Sequence, residues 1–157
     1  MFCNQCEQTA KGTACEKVGV CGKSDNVAAL QDLLIYATQG LSLYAVTGRS
    51  AGIVDQEVAR FPCRAIFSPL TNVNFDDSRL TALINRAVAH RNALKEKTGA
   101  TIAEPAATFS PALDTAGLVS QGQEVNFPVD TSENEDILSL KQILLYGLKG
   151  VAAYSDH

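Results

Sequence analysis

Ser24-Asp25-Asn26-Val27-Ala28-Ala29-Leu30-Gln31-Asp32-Leu33-Leu34-Ile35-Tyr36-Ala37, continued by Thr38-Gln39-Gly40-Leu41-Ser42-Leu43-Tyr44, is the stretch that decides the fold. Val27, Leu30, Leu34, Ala37, Leu41 and Tyr44 recur at alternating steps of three and four, the seam of a packed α-helix rather than the alternation of a strand. Ser24 and Asp25 are good N-cap residues, and Gly48 and Gly52 offer a stop. The spacing predicts a first helix from about Asn26 to Val46.

The pattern returns 110 residues later, where Leu140-Lys141-Gln142-Ile143-Leu144-Leu145-Tyr146 aligns with Leu30–Tyr36, and Gly150 and Tyr154 fall on Gly40 and Tyr44. Convergence on one amphipathic pattern is the plainer alternative. A helix-interior glycine costs about 1 kcal/mol unless close packing needs it, so the matched glycine favours a duplicated bundle. Between the two copies, Val54, Val58, Phe61 and Ala65 predict a second helix from about Asp55 to Phe67, which Pro62 should kink or split. A third helix follows with Asn74 as cap, Asp76 and Asp77 in its first turn, and an apolar face of Leu80, Leu83, Ile84, Ala87 and Leu94. Lys95-Glu96-Lys97 and Gly99 end it.

Residues 99–131 hold Pro105, Pro111 and Pro128 and predict a long connection with a short helix near Asp114 to Ser120. Ser132 with Glu135 forms a capping-box signature for the fourth helix. The helical pattern still runs at Ser155-Asp156-His157, so the second bundle is expected to be incomplete. The fold class expected is all-α: a cysteine-rich loop (1–24), a first three-helix bundle (25–98), a long connection (99–131) and the first helix of a second bundle (132–157).

With 157 residues, 46% apolar and 19% charged, the chain can bury a core without disulfides. A net charge of −4 with scattered basic residues argues against a nucleic-acid partner. No run of about eighteen apolar residues marks a membrane span, and Met1-Phe2-Cys3-Asn4-Gln5-Cys6 lacks the character of a signal peptide. A cytoplasmic location is expected. In that reducing compartment clustered cysteines are more often metal ligands or catalysts than structural disulfides.

Four of the five cysteines lie in the first 21 residues. Cys3 and Cys6 are separated by two residues, Cys6 and Cys15 by eight, and Cys15 and Cys21 by five. Four thiolates can close around one zinc ion or take the corners of an iron–sulfur cluster. Gly12, Gly19 and Gly22 allow close backbone approach, and Lys11, Lys17 and Lys23 offset a negatively charged thiolate site. Since only the first pair has the Cys-x-x-Cys form of a zinc knuckle, the spacing favours an iron–sulfur cluster, with a zinc staple and redox-active thiols as alternatives. Cys63, beside Phe61, Ala65 and Ile66, reads as core packing. His90 reads as a boundary histidine and His157 as solvated, while Glu133-Asn134-Glu135-Asp136 complements a helix dipole. No catalytic triad, phosphate loop or catalytic carboxylate pair can be assembled from the sequence.

Five segments resemble the hybrid cluster protein family, also called prismane protein or hydroxylamine reductase. They are Met1-Phe2-Cys3-Asn4-Gln5-Cys6-Glu7-Gln8-Thr9, Gly19-Val20-Cys21-Gly22-Lys23, Leu30-Gln31-Asp32-Leu33-Leu34, Leu70-Thr71-Asn72-Val73-Asn74-Phe75-Asp76 and Leu144-Leu145-Tyr146-Gly147-Leu148-Lys149-Gly150. The resemblance runs over the whole chain, in order. It implies that Cys3, Cys6, Cys15 and Cys21 ligate a [4Fe-4S] cluster, and that the first domain is α-helical and built as two bundles. Full-length members reduce hydroxylamine to ammonia and water at a hybrid iron–sulfur–oxygen cluster held by later domains. Cys63, His90 and His157 do not match those hybrid-site motifs, so this chain by itself is not expected to be active. The implied role is an N-terminal electron-transfer domain between a redox donor and the remaining domains. A zinc-stapled, non-catalytic helical interaction domain is the alternative.

Overall fold

A computed structural model describes residues 1–70, 74–125 and 134–156. Among them the fold is all-α: α1 (Asp25–Ser50), α2 (Gln56–Phe67), α3 (Asp77–Thr98), α4 (Pro105–Thr108), α5 (Thr115–Val125) and α6 (Glu135–Ser155), preceded by a loop with one 3-10 turn at Ala10–Gly12.

The hub is α1, and every residue of its expected seam is buried. It packs along α3 and α5, with α4 and α2 completing the shell, and α6 rests on α2. Ser24 caps α1 as expected, its hydroxyl accepting from the Val27 N–H at 3.2 Å. The helix runs four residues past Val46, and Gly48 lies inside it rather than beyond its end. The chain folds back there: the Ile53 N–H donates to the Gly48 carbonyl at 2.8 Å, and a Cβ on Gly48 would stand 3.2 Å from the Ile53 carbonyl oxygen. Gly48 therefore serves a close turn-back against the helix and not its termination.

Along α2, Pro62 sits inside one continuous helix. Phe61 and Ala65, buried on either side of it, hold the helix to the core despite the missing N–H. Val54, expected on the buried face, precedes the N-cap Asp55 and is exposed. The cap of α3 is Asp76 and not Asn74; its carboxylate accepts from the N–H groups of Ser78 and Arg79. Asn74 instead accepts from the Asp76 N–H at 3.0 Å, one step upstream. Gly99 ends α3 in the left-handed conformation, φ 63°, as its position suggests.

The stretch expected as a connection carries α4 and α5, and both pack on α1. A Cβ on Gly40 would lie 2.0 Å from the Ala106 carbonyl oxygen, so this position admits no side chain. The helix near Asp114 is longer than expected, reaching Val125. Ser132, the expected cap of the last helix, and His157 lie outside the described residues; Asn134 performs the capping, its side chain accepting from the Asp136 and Ile137 N–H groups.

The faces of α6 are inverted relative to α1. Tyr44 and Leu34 are fully buried in α1, whereas their counterparts Tyr154 and Leu144 are 90% and 65% exposed. Ile137, Leu140, Ile143 and Val151, the counterparts of buried Val27, Leu30, Leu33 and Leu41, are also exposed. Nothing lies within 4 Å of a Cβ on Gly150, the counterpart of the tightly packed Gly40. The side of α6 that meets the rest of the molecule carries Lys149 and Ala152 instead.

Candidate metal centre in the cysteine loop

Cys3 and Cys15 form an isolated antiparallel bridge. The Cys3 N–H donates to the Cys15 carbonyl at 3.0 Å, and the Cys15 N–H returns to the Cys3 carbonyl at 2.9 Å. Directly opposed residues of such a pair put their side chains on the same face. Both thiols are therefore presented together; both residues are buried, and they pack against Ala28 of α1 with Met1 and Ala10. The Met1 ammonium, 3.3 Å from the Asp25 carboxylate, anchors the start of the loop on the first turn of α1.

Cys21 lies in a tight turn closed by the Gly22 N–H to the Gly19 carbonyl at 2.8 Å, and the Gly19 N–H donates to the Lys23 carbonyl at 2.9 Å. A Cβ at Gly19 would lie 2.9 Å from Lys23 Cβ and 3.2 Å from Cys21 Sγ, so only glycine lets this turn close on its own cysteine. Cys6 and Cys21 are half-buried, and all five cysteines are free thiols. Among the described residues, no three His, Cys, Asp or Glu side chains converge as they do around a single metal ion.

Of the three lysines expected to offset thiolate charge, Lys11 and Lys17 are exposed and Lys23 is buried, its Nζ 3.6 Å from Cys3 Sγ. A second ammonium arrives from the far end of the sequence. Lys149 of α6 is 1% exposed and donates to Gln5 Oε1 at 3.0 Å, and the Gln5 amide donates in turn to the Asp32 carboxylate of α1. Beside it the Tyr146 hydroxyl donates to the Asn4 carbonyl. Burial pushes Asp32 up to about 7 against the opposing pull of Gln5, Lys23 and Lys149. Burial, with Lys23 nearby, pushes Lys149 down to about 8, while Asp32, Cys3 and Cys6 favour its charged form. A cavity of about 100 Å³ lined by Asn4, Gln5, Asp32, Gln39 and Gln142 adjoins this network.

The sequence reading missed Lys149, Gln5 and Asp32. A lysine between Leu148 and Gly150 on an amphipathic helix ordinarily reads as solvated. The available signal was its place on the face that also carries Gln142, Leu145 and Ala152, a stripe separate from the one repeated from α1. Cys63 lies on α2 and is half-buried rather than in the core. His90 is half-buried on α3, its ring tilted at 58° against Phe61 with centroids 5.0 Å apart and accepting from Arg86 Nε at 3.3 Å, in keeping with a boundary position.

Buried thiols paired on one face, with an ammonium against one of them, form a donor set for soft metal centres. Known proteins share the sequence that builds it. The chain is 54% identical over 162 residues to a hydroxylamine reductase of Syntrophobacter fumaroxidans, covering 100% of this chain and 30% of that protein. It is 51% identical over 158 residues to one of Solidesulfovibrio magneticus, covering 100% of this chain and 29% of that protein. A hydroxylamine reductase of Methanocella arvoryzae is 50% identical over 163 residues, with 100% and 30% covered. The chain thus spans about 30% of the length of these relatives. No helix among the described residues is long and apolar enough to cross a membrane. The Prismane/CO dehydrogenase family matches residues 1–157, and the chain belongs to it.

Proposed function

We propose that this chain is the electron-transfer portion of a hydroxylamine reductase-like protein, and that Cys3, Cys6, Cys15 and Cys21 hold a [4Fe-4S] cluster. The observation that carries the reading is the Cys3–Cys15 bridge, which sets two buried thiols on one face with the Lys23 ammonium 3.6 Å from one sulfur. The donor set fits an anionic cluster: four thiols, no disulfide, and the buried Lys23 ammonium beside Cys3. A four-iron cluster spreads its corner thiolates more widely than one zinc ion does, so it needs no tight convergence on a single point.

When bound, such a cluster accepts and releases one electron at a time. The chain's own residues give it a backing, in Ala28 of α1, and a fixed pair of ligands on the bridge. The Gly19–Lys23 turn would supply Cys21, and Cys6, three residues after Cys3, would supply the fourth thiolate. In a full-length protein electrons from a redox donor would pass through this portion to a hybrid cluster in the remaining domains, which would supply the two electrons that, with two protons, convert hydroxylamine to ammonia and water.

The outward apolar face of α6 supports a longer protein, since its relatives are more than three times this length. Residues 135–155 would then begin a second bundle that buries Leu144, Val151 and Tyr154 as α1 buries Leu34, Leu41 and Tyr44. Anaerobic purification should give a brown protein whose visible absorbance bleaches with dithionite, without turnover of hydroxylamine by the chain alone. A colourless protein with stoichiometric zinc overturns the reading.

A further inference from the structure

Lys149 belongs to the helix most distant in sequence from the cysteine loop, yet its ammonium is buried at that loop, 3.0 Å from Gln5 Oε1. A buried ammonium is costly unless its charge is matched. The nearby match is incomplete: the ammonium groups of Lys23 and Lys149 face a single carboxyl in the buried network, that of Asp32, which burial pushes toward its neutral form. Lys23 disfavours the charged form of Lys149, while Cys3 and Cys6 favour it. Lys149 is thus a buried cation held on Gln5, the residue before Cys6, while Lys23 stands 3.6 Å from Cys3 Sγ, and this excess of positive charge beside the loop suits an anionic group on the thiols.

We propose that Lys149 is a positioning residue for the redox step, a counter-charge delivered by α6 that raises the reduction potential of the group held by Cys3, Cys6, Cys15 and Cys21. The inference rests on the cluster reading above. Reduction adds one electron and one negative charge and breaks no bond. A fixed ammonium held on Gln5, the neighbour of Cys6, stabilises that added charge, and net charge together with hydrogen bonding is what sets such potentials. Tyr146, one helical turn before Lys149, holds the backbone of Asn4 next to Gln5, so α6 fixes both the charge and the residue that carries its hydrogen bond. Lys23 supplies a local cation from the loop itself; Lys149 makes the site depend on an element outside the loop.

The test compares wild type, Lys149→Gln and Lys149→Met, each loaded anaerobically, assayed for iron per chain, checked for helicity by circular dichroism, and then titrated with dithionite. Both variants remove the charge, and the glutamine keeps an N–H donor for Gln5. The expected result is unchanged iron content with a potential lowered at least tenfold in the redox equilibrium, about 59 mV for one electron. Where the methionine variant loses helicity, the glutamine variant carries the comparison. An unchanged potential in Lys149→Gln overturns the proposal, and a fall confined to Lys149→Met assigns the effect to the hydrogen bond and overturns it equally. Absence of iron from wild type overturns the cluster reading itself and this inference with it, and iron analysis before titration tells the two failures apart.

Discussion

Asp32 stands with Gln5 between the bundle and the cysteine loop, its carboxyl pushed up to about 7 by burial. The folded protein therefore keeps a proton that the unfolded chain releases near 3.8, so this residue contributes stability that is full below that value and lost as pH rises through about 7. Lys149, pushed down to about 8, acts in the opposite sense between about pH 8 and 10.5. In cluster-free protein, denaturant unfolding should give a stability that falls by up to a few kcal/mol between about pH 4 and 7, and Asp32→Asn should flatten that slope while keeping an acceptor for Gln5. Equal slopes in the two proteins would refute this assignment. The network was illegible in the sequence because Gln5, Asp32 and Lys149 are ordinary surface residue types, and only folding joins positions 5, 32 and 149. The cysteines stood out because four thiols within 21 positions have few other uses. The sequence spacing still did not show that Cys3 and Cys15 pair across a bridge, which depends on backbone hydrogen bonds rather than residue type.

At the scale of elements, α1 was the most legible because one face is buried along its whole length and the core fixes its register. Boundaries were less legible where two chemically equivalent residues compete. Asn74 and Asp76 can each cap a helix; Asp76 caps α3 and Asn74 shapes the turn before it. Gly48 and Gly52 look alike in sequence, yet only Gly52 lies beyond the helix with a positive φ, 75°. Glycine roles can be separated by substitution. Gly40→Ala drives a methyl into the Ala106 carbonyl and should cost about 1–3 kcal/mol in thermal unfolding. Gly150→Ala, with open space around it, should instead stabilise the isolated chain by about 1 kcal/mol through helix propensity. Leu34→Ala in the fully buried seam should cost about 2–5 kcal/mol. A loss from Gly150→Ala in the isolated chain would contradict the open geometry of α6.

For the whole molecule, the division of labour follows from α1: its seam builds the bundle, its first turns back the cysteine loop, and Asp32 carries the link to α6. The repeat between α1 and α6 is visible in sequence, but its two copies are used differently. One stripe is core in α1 and exposed in α6. Leu140→Lys combined with Leu144→Lys should therefore reduce binding of an apolar dye while changing the stability of the isolated chain by no more than about 0.5 kcal/mol. A cooperative loss of structure would place those side chains in the existing core. The claim on which the functional account stands is the cluster at the loop, and its most direct measurement is iron and acid-labile sulfide per chain after anaerobic reconstitution, in wild type, Cys15→Ser and Cys63→Ser. Wild type and Cys63→Ser should hold about four of each, with a marked loss in Cys15→Ser; stoichiometric zinc without sulfide, or iron indifferent to Cys15, would refute a cluster at these thiols.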